Sequence, residues 1–240
     1  MNYLNLERLE SVDPALFQGR EPYPWINPGG LLTETGYQRL LQTLPDTSLF
    51  TFVANRQRRD GQPSHNRYAL DYRKDLPVAD EWHQFADELS GPAYRRFLKR
   101  MLGRGSFSIG FHWHYTPKGC SVSPHRDARR KLGSHIFYFN TQADWDSRWG
   151  GQTLVLDDDG RFDDVSRPKF EDFERAIASD AMGNTSFLFA NRPNAWHGVR
   201  EIRCPEGAYR KVFIVVIDDF LLGLRRRIAG RLRGERAAVY

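Results

Sequence analysis

Gly105 separates two hydrophobic periods, and this change constrains the fold more than any other feature of the chain. Upstream, apolar residues recur every third or fourth position. Tyr37, Leu40, Leu41 and Leu44 follow Thr33, a helix N-cap type, and Pro45 stops the run. Trp82, Phe85 and Leu89 share a second helical face. Ser90-Gly91-Pro92 interrupts it, and Tyr94, Phe97, Leu98 and Met101 form a third. Downstream the pattern alternates. Phe107, Ile109, Phe111, Trp113 and Tyr115 occupy odd positions, while Ser106, Ser108, Gly110, His112 and His114 occupy even ones. Side chains of a strand point alternately to its two faces, so the run predicts a strand whose aromatic face, Tyr115 included, turns inward.

Further short strands are predicted at 135–140, 152–156, 185–190 and 211–217, with weaker candidates at 48–54 and 66–72. Phe170, Phe173 and Ile177 have helical spacing and predict a short helical insert. Helices followed by many short strands imply an α+β fold, its strands forming a sandwich or barrel with the N-terminal helices packed on a sheet. No repeat or low-complexity linker divides the 240 residues, so one domain is expected: helical and strand support over 1–104, the β core over 105–220, and a basic helix or tail over 221–240.

Composition excludes several classes. No apolar run approaches the roughly 18 residues that a membrane span requires. The segment Met1–Glu10 lacks an apolar signal core, so a cytoplasmic location is expected. Two cysteines, Cys120 and Cys204, make neither a disulfide framework nor a Cys-x-x-Cys site. The net charge of +5 owes much to six arginines between Arg225 and Arg236. The remainder is close to neutral, and no nucleic-acid partner is expected.

Candidate chemistry begins at Ser123-Pro124-His125-Arg126-Asp127. In an extended backbone residues i and i+2 share a face, so His125 and Asp127 project together. His197 lies far downstream, after the 185–190 strand and the turn-like Asn191-Arg192-Pro193-Asn194. Two histidines and one carboxylate make the facial triad of non-haem Fe(II) oxygenases, which leaves coordination positions open for a co-substrate and O2. A bare His-x-Asp is equally at home in a surface turn, so the pair has weight only in context. Arg210 opens the 211–217 strand. Its planar fork of donors suits a carboxylate, although a strand-end salt bridge would use it as well.

These motifs follow one another in a recognisable order: Tyr115-Thr116-Pro117-Lys118-Gly119, His125-x-Asp127, Ile136-Phe137-Tyr138-Phe139-Asn140, Trp145, Gly150-Gly151, Leu188-Phe189, His197 and Arg210. In that order the stretch from Phe111 to about Ile217 resembles the double-stranded β-helix (jelly-roll) core of the prolyl-4-hydroxylase-like branch of the 2-oxoglutarate/Fe(II)-dependent oxygenase superfamily. The resemblance implies Fe(II) held by His125, Asp127 and His197, with 2-oxoglutarate and O2 as co-substrates and allowance for ascorbate. It implies a hydroxylase that converts 2-oxoglutarate to succinate and CO2. Arg210 would anchor the distal carboxylate of 2-oxoglutarate, and Tyr115 and Tyr138 would line its pocket. The chain departs from the family pattern in two places. The His197 to Arg210 spacing is long, and Val212 stands where a serine or threonine is usual. Lys211 is an alternative anchor, but alternation lets only one of Arg210 and Lys211 face inward, and Gly207-x-x-Arg210 fits the family phrase. Tyr138 is then the candidate hydroxyl for the distal carboxylate.

Asp127 favours hydroxylation over halogenation, since related halogenases lose that carboxylate. His112-x-His114 lacks the following glutamate of a cupin pair and falls opposite the aromatic face, which predicts partly exposed or hydrogen-bonded histidines. His135 could orient a ligand or do nothing. The repair-demethylase phrase Arg-x-Asn-x-Thr-x-Arg is replaced here by Arg210-Lys211-Val212-Phe213-Ile214. For the substrate, Arg126, Arg129, Arg130, Lys131 and Arg148 suggest an anionic small molecule, or simply a solvated charged loop. A peptidyl hydroxylase and a non-catalytic metal-binding module of the same fold are the alternatives. The loop 55–61 could form a lid. Leu224, Ile228 and Leu232 among the terminal arginines could dock a membrane surface or pack as a plain terminal helix. The oligomeric state is not legible.

Overall fold

The computed structural model describes residues 2–53, 66–163 and 165–220. The proposed 55–61 lid and the basic tail beyond Leu221 lie outside the described residues. No helix among the described residues is long and apolar enough to cross a membrane.

The N-terminal part runs α1 (Leu6–Ser11), α2 (Pro14–Gln18), β1 (Trp25–Ile26), α3 (Glu34–Gln42), β2 (Thr51–Val53) and β3 (Arg67–Asp71). Thr33 caps α3, its hydroxyl accepting the N–H of Gly36. The helices α4 (Asp80–Ser90) and α5 (Pro92–Leu102) meet at Gly91, and Pro92 sits at the first turn of α5, where its missing N–H costs nothing. Gly103 ends α5 with a φ of 64°, its N–H closing on the Lys99 carbonyl. The core then runs β4 (Phe107–Pro117), β5 (Val122–His125), β6 (Lys131–Tyr138), β7 (Leu154–Asp157), β8 (Arg175–Ala178), β9 (Ser186–Ala190), β10 (Trp196–Val199) and β11 (Tyr209–Asp219).

Two antiparallel sheets result, one of seven strands ordered β1-β9-β6-β11-β4-β3-β2 and one of four ordered β5-β10-β7-β8. This is the jelly-roll arrangement expected, with the N-terminal helices covering the larger sheet. Register assigns the faces of that sheet. His114 pairs with Val212 and Val212 with Tyr138, while Trp113 pairs with Phe213 and Phe213 with Phe137. The second row belongs to the core beneath α3, α4 and α5. Trp82 of α4 lies 5.1 Å from Trp113 and 5.2 Å from Phe213, centroid to centroid. Such pairs add about 0.5–1.5 kcal/mol each beyond their buried area, so this layer locks helices to sheet. Val212 and Tyr138 of the first row form a second core with Ile136, Phe187, Phe189 and Val155, the last from the smaller sheet.

The face assignment corrects one expectation. The aromatic face of β4 packs on the helices, and the histidine face looks between the sheets. Alternation distinguishes two faces, but which of them meets the helix layer depends on long-range packing. His112 is therefore buried, with burial, then the positive charges of Lys131 and Arg67, lowering its pKa to about 3. His114 accepts a hydrogen bond at Nε2 from Arg67 Nε at 3.0 Å.

Two local expectations are also corrected. Phe170, Phe173 and Ile177 do not form a helix. Phe170–Asp172 is one 3-10 turn, and Arg175–Ala178 is strand β8, held by pairing of Leu156 with Ala176. The open edge of β7 supplies the hydrogen bonds that decide against helix there. The first half of the 48–54 strand is instead a 3-10 turn, Thr47–Leu49, capped by the Asp46 carboxylate.

Candidate metal centre

His125 ends β5 and His197 lies in β10. The two strands pair with these residues directly opposite, and Val155 of β7 flanks His197 on its other side. Cross-strand partners share a face, so both imidazoles look into the space between the sheets. The Asp127 carboxylate joins them, and one donor atom from each residue lies within 4.8 Å of the other two.

Backbone carbonyls determine what each ring offers. His125 Nδ1 lies 3.0 Å from the Ser123 carbonyl, and His197 Nδ1 lies 3.0 Å from the Ala195 carbonyl. A carbonyl oxygen only accepts, so each Nδ1 carries the proton and donates, leaving each Nε2 lone pair available. The Phe189 ring packs 4.4 Å from the His197 ring, centroid to centroid, and restricts its rotation.

Asp127 is held as firmly. Lys131 Nζ donates to Oδ1 at 2.9 Å and Ser134 Oγ to Oδ2 at 3.2 Å. Burial alone would raise this carboxyl. Lys131, then the neighbouring His197, and the two hydrogen bonds outweigh burial and hold the group well below the usual carboxylate range. At neutral pH the cluster thus presents two imidazole nitrogens and one carboxylate anion, a donor set suited to Fe(II) and its neighbours rather than to magnesium or calcium.

Arg210 sits on the same face as Val212 and Tyr138, looking between the sheets. It is 5 % exposed. Its Nε donates to the Gly151 carbonyl at 2.6 Å and its Nη2 to Thr153 Oγ1 at 3.2 Å. No acidic side chain pairs with it among the described residues. Burial lowers its pKa, with Tyr138 opposing. An isolated buried cation is costly, so a bound anion is its natural complement. Lys211 faces the other way and pairs with Asp144 at 2.8 Å, which leaves Arg210 as the inward member of the two.

Tyr138 lies beside this guanidinium, whose Cζ is 5.6 Å from the ring centroid. The Tyr138 hydroxyl is within 2.7 Å of Thr153 Oγ1 and 3.0 Å of Ser179 Oγ. Arg210, Tyr138, Thr153 and Ser179 make one buried polar cluster, which supplies the hydroxyls that Val212 lacks. Tyr115 is not part of it. Its ring stacks on Phe50 at 4.3 Å and its hydroxyl donates to the Pro45 carbonyl, on the helix side of the sheet. The expected pocket role of Tyr115 is thereby corrected, for the same reason as the face of β4. His135 also faces the helices, bonded through Nδ1 to the Tyr94 hydroxyl at 2.7 Å, and touches no member of the triad.

Several residues around the cluster escape sequence reading. Thr153 and Ser179 are ordinary hydroxyls far apart in the chain. Tyr23 donates to the Trp196 carbonyl at 2.9 Å, next to His197, and burial, then the charge of Asp127, hold its phenol well above the ordinary value. Only Ser134 had a signal, since alternation places it on the Tyr138 face of β6. Of the basic residues near His125, Lys131 is committed to Asp127, Arg130 lies 3.7 Å from Asp218, and Arg126 donates to the Pro193 carbonyl and lies over Trp196.

No family model and no curated protein matches the sequence. Solved structures do match by shape. A Pseudomonas putida prolyl-4-hydroxylase is 15% identical, with a TM-score of 0.59 over 86% of this chain and 98% of its own. A prolyl hydroxylase from Trichoplax adhaerens, solved with a peptide fragment of the hypoxia inducible factor oxygen degradation domain, is 14% identical. Its TM-score is 0.62 over 90% of this chain and 93% of its own. An oxidoreductase of the 2OG-Fe(II) oxygenase family from Burkholderia pseudomallei is 16% identical, with a TM-score of 0.55 over 87% and 92%. The chain has the fold of these prolyl-hydroxylase-like oxygenases.

Proposed function

We propose that this protein is an Fe(II)- and 2-oxoglutarate-dependent dioxygenase that hydroxylates an unactivated C–H bond of an anionic small molecule. The observation that carries the reading is the combination of two sites on the two sheets, both turned to the space between them. His125, Asp127 and His197 converge their donors, and Arg210 is a buried guanidinium without an acidic partner among the described residues.

His125 and His197 would hold the iron through Nε2, and Asp127 through its carboxylate. Arg210 would take the distal carboxylate of 2-oxoglutarate, with Thr153 and Tyr138 donating hydroxyls beside it. When bound, iron and 2-oxoglutarate supply the oxidising chemistry, in which O2 and 2-oxoglutarate become succinate, CO2 and one hydroxyl on the substrate. The chain's own part is orientation and exclusion of water. The carbonyls of Ser123 and Ala195 fix both imidazoles, Lys131 and Ser134 fix the carboxylate, and Ile136, Phe187, Phe189 and Val212 form apolar walls.

Arg126, Arg129 and Arg130 follow His125 closely, and although Arg126 also contacts Pro193 and Trp196 and Arg130 lies near Asp218, their positive charge supports an anionic substrate. A peptidyl hydroxylase is the second reading, because two of the solved neighbours are prolyl hydroxylases and one was solved with a peptide. Anaerobic titration with Fe(II) and 2-oxoglutarate tests the proposal through the weak visible charge-transfer band of the chelate. The band is expected in the native protein and absent in His125→Ala. A native protein without the band, or a variant that keeps it, refutes the site. Succinate release in the presence of pooled anionic metabolites or of proline-containing peptides separates the two substrate classes. Iron and 2-oxoglutarate binding without turnover of either pool would leave a non-catalytic module.

A further inference from the structure

The outer face of the four-stranded sheet carries a second feature. Phe170 packs where a Cβ on Gly198 would stand, and Leu154, Leu156, Phe173 and Trp196 form a small core on that side. Beside this core lies a cleft of about 630 Å³. Pro124 lines it, whereas His125 points the other way. Gln152 lines it, whereas Gly151 and Thr153 turn toward Arg210. Ser123, whose carbonyl accepts from His125 Nδ1, also lines the cleft, so the cleft adjoins the strand that carries His125.

Five cationic side chains line the cleft, Arg148, Arg167, Lys169, Arg200 and Arg203, against two acidic ones, Glu171 and Glu201. Arg148 is paired with Asp146 at 2.5 Å, and Arg200 lies 3.3 Å from Glu171. Arg167 and Arg203 make no ion pair among the described residues. The backbone N–H of Arg203 donates to the Trp149 carbonyl at 2.8 Å, which fixes where its side chain leaves the wall. Arg200 lies over Phe170, with its Cζ 4.8 Å from the ring centroid, which sets cationic and apolar surface side by side in the cleft.

We propose that this cleft is a docking site for an acidic peptide segment carrying at least one apolar side chain. The arginines recognise carboxylates, and Trp149, Phe170 and Pro124 offer apolar wall between them. A nucleic-acid strand fits less well, because its evenly repeated phosphates would meet Glu171 and Glu201 in the same lining. A single small anion would leave the apolar wall unused. The docking site does not depend on the metal centre, since none of its lining residues belongs to the triad or to the Arg210 cluster.

The test is fluorescence anisotropy with the full-length protein and a fluorescein-labelled octapeptide of aspartate and glutamate containing one leucine and one phenylalanine. A lysine-substituted peptide of the same design and an eight-nucleotide single-stranded DNA are run in parallel, with inorganic pyrophosphate as competitor. The acidic peptide is expected to bind at low salt and to weaken as salt is raised. Arg167→Glu/Arg203→Glu should weaken it at least about tenfold, because two attractions become repulsions. Arg203→Gln, a milder change on an exposed residue, should give a smaller loss in the same direction. Unchanged thermal unfolding and an unchanged Fe(II)/2-oxoglutarate band show that the variants fold. The proposal is overturned by no binding, by equal binding in wild type and double variant, by DNA binding as tight as the acidic peptide, or by full displacement with pyrophosphate at equal charge.

Discussion

His125 and His197 are directly opposite one another across β5 and β10, with ring centroids 4.3 Å apart, although 71 residues separate them in sequence. The pairing of two short strands therefore determines the separation of the two imidazole rings, and Asp127 follows from the two-residue step beyond His125.

Metal should consequently stabilise the fold. A ligand that binds only the native state adds about 2.7 kcal/mol when present at 100 times its Kd. Anaerobic Fe(II) is expected to raise the unfolding temperature of the wild type and to leave that of His197→Ala unchanged. Differential scanning calorimetry with and without a chelator reads this directly.

Arg210→Lys tests the anchor. Lysine keeps the charge but loses the planar fork that meets the Gly151 carbonyl and Thr153 together. The Kd for 2-oxoglutarate should rise by about 10- to 100-fold, corresponding to the roughly 1.5–3 kcal/mol of a charged hydrogen bond, while Fe(II) affinity is retained. Equal losses of metal and 2-oxoglutarate would point instead to collapse of the cavity.

Tyr115 and Tyr138 should separate cleanly. Tyr115→Phe loses only the bond to the Pro45 carbonyl and keeps its stack on Phe50, so it should cost about 1 kcal/mol of stability and leave 2-oxoglutarate binding unchanged. Tyr138→Phe removes a hydroxyl shared with Thr153 and Ser179 and should weaken 2-oxoglutarate binding as well. Denaturant melts and ligand titrations of the two variants make the comparison.

Acid stability should depend on His135. Burial lowers its pKa to about 3, below the unfolded value of about 6.5, so the unfolded chain takes up a proton that the native state does not. Its contribution is full above the unfolded pKa and declines as pH falls from there toward 3, by up to about 1.4 kcal/mol per pH unit. His135→Gln retains a polar partner for Tyr94 and should flatten stability against pH across that window. His112, lowered by the same burial, leaves a residual slope.

How far the sequence reaches can be judged residue by residue. The break between the helices at Ser90 and Pro92 was legible because Gly91 and Pro92 interrupt a strong apolar period, and the change of period at Gly105 announced the β core. The triad was legible because a two-residue step and an ordered set of motifs surround it. Chain-local rules misled at Phe170–Ile177, where the unpaired edge of β7 outweighed helical spacing, and at Tyr115, where the alternating pattern was right and the assignment of its faces was not.

The sequence by itself determined which residues alternate and where helices stop, and it singled out His125, Asp127, His197 and Arg210, three of which the structure brings together. Tertiary structure alone decided that Trp113 and Tyr115 serve the helix layer while His112, Arg210 and Tyr138 look between the sheets. It also brought Thr153, Ser179 and Tyr23 to a site that none of them announces. The physical reason is that a strand's period is a local property of backbone geometry. The side of a sheet that is buried against helices is set by contacts between residues far apart in the chain.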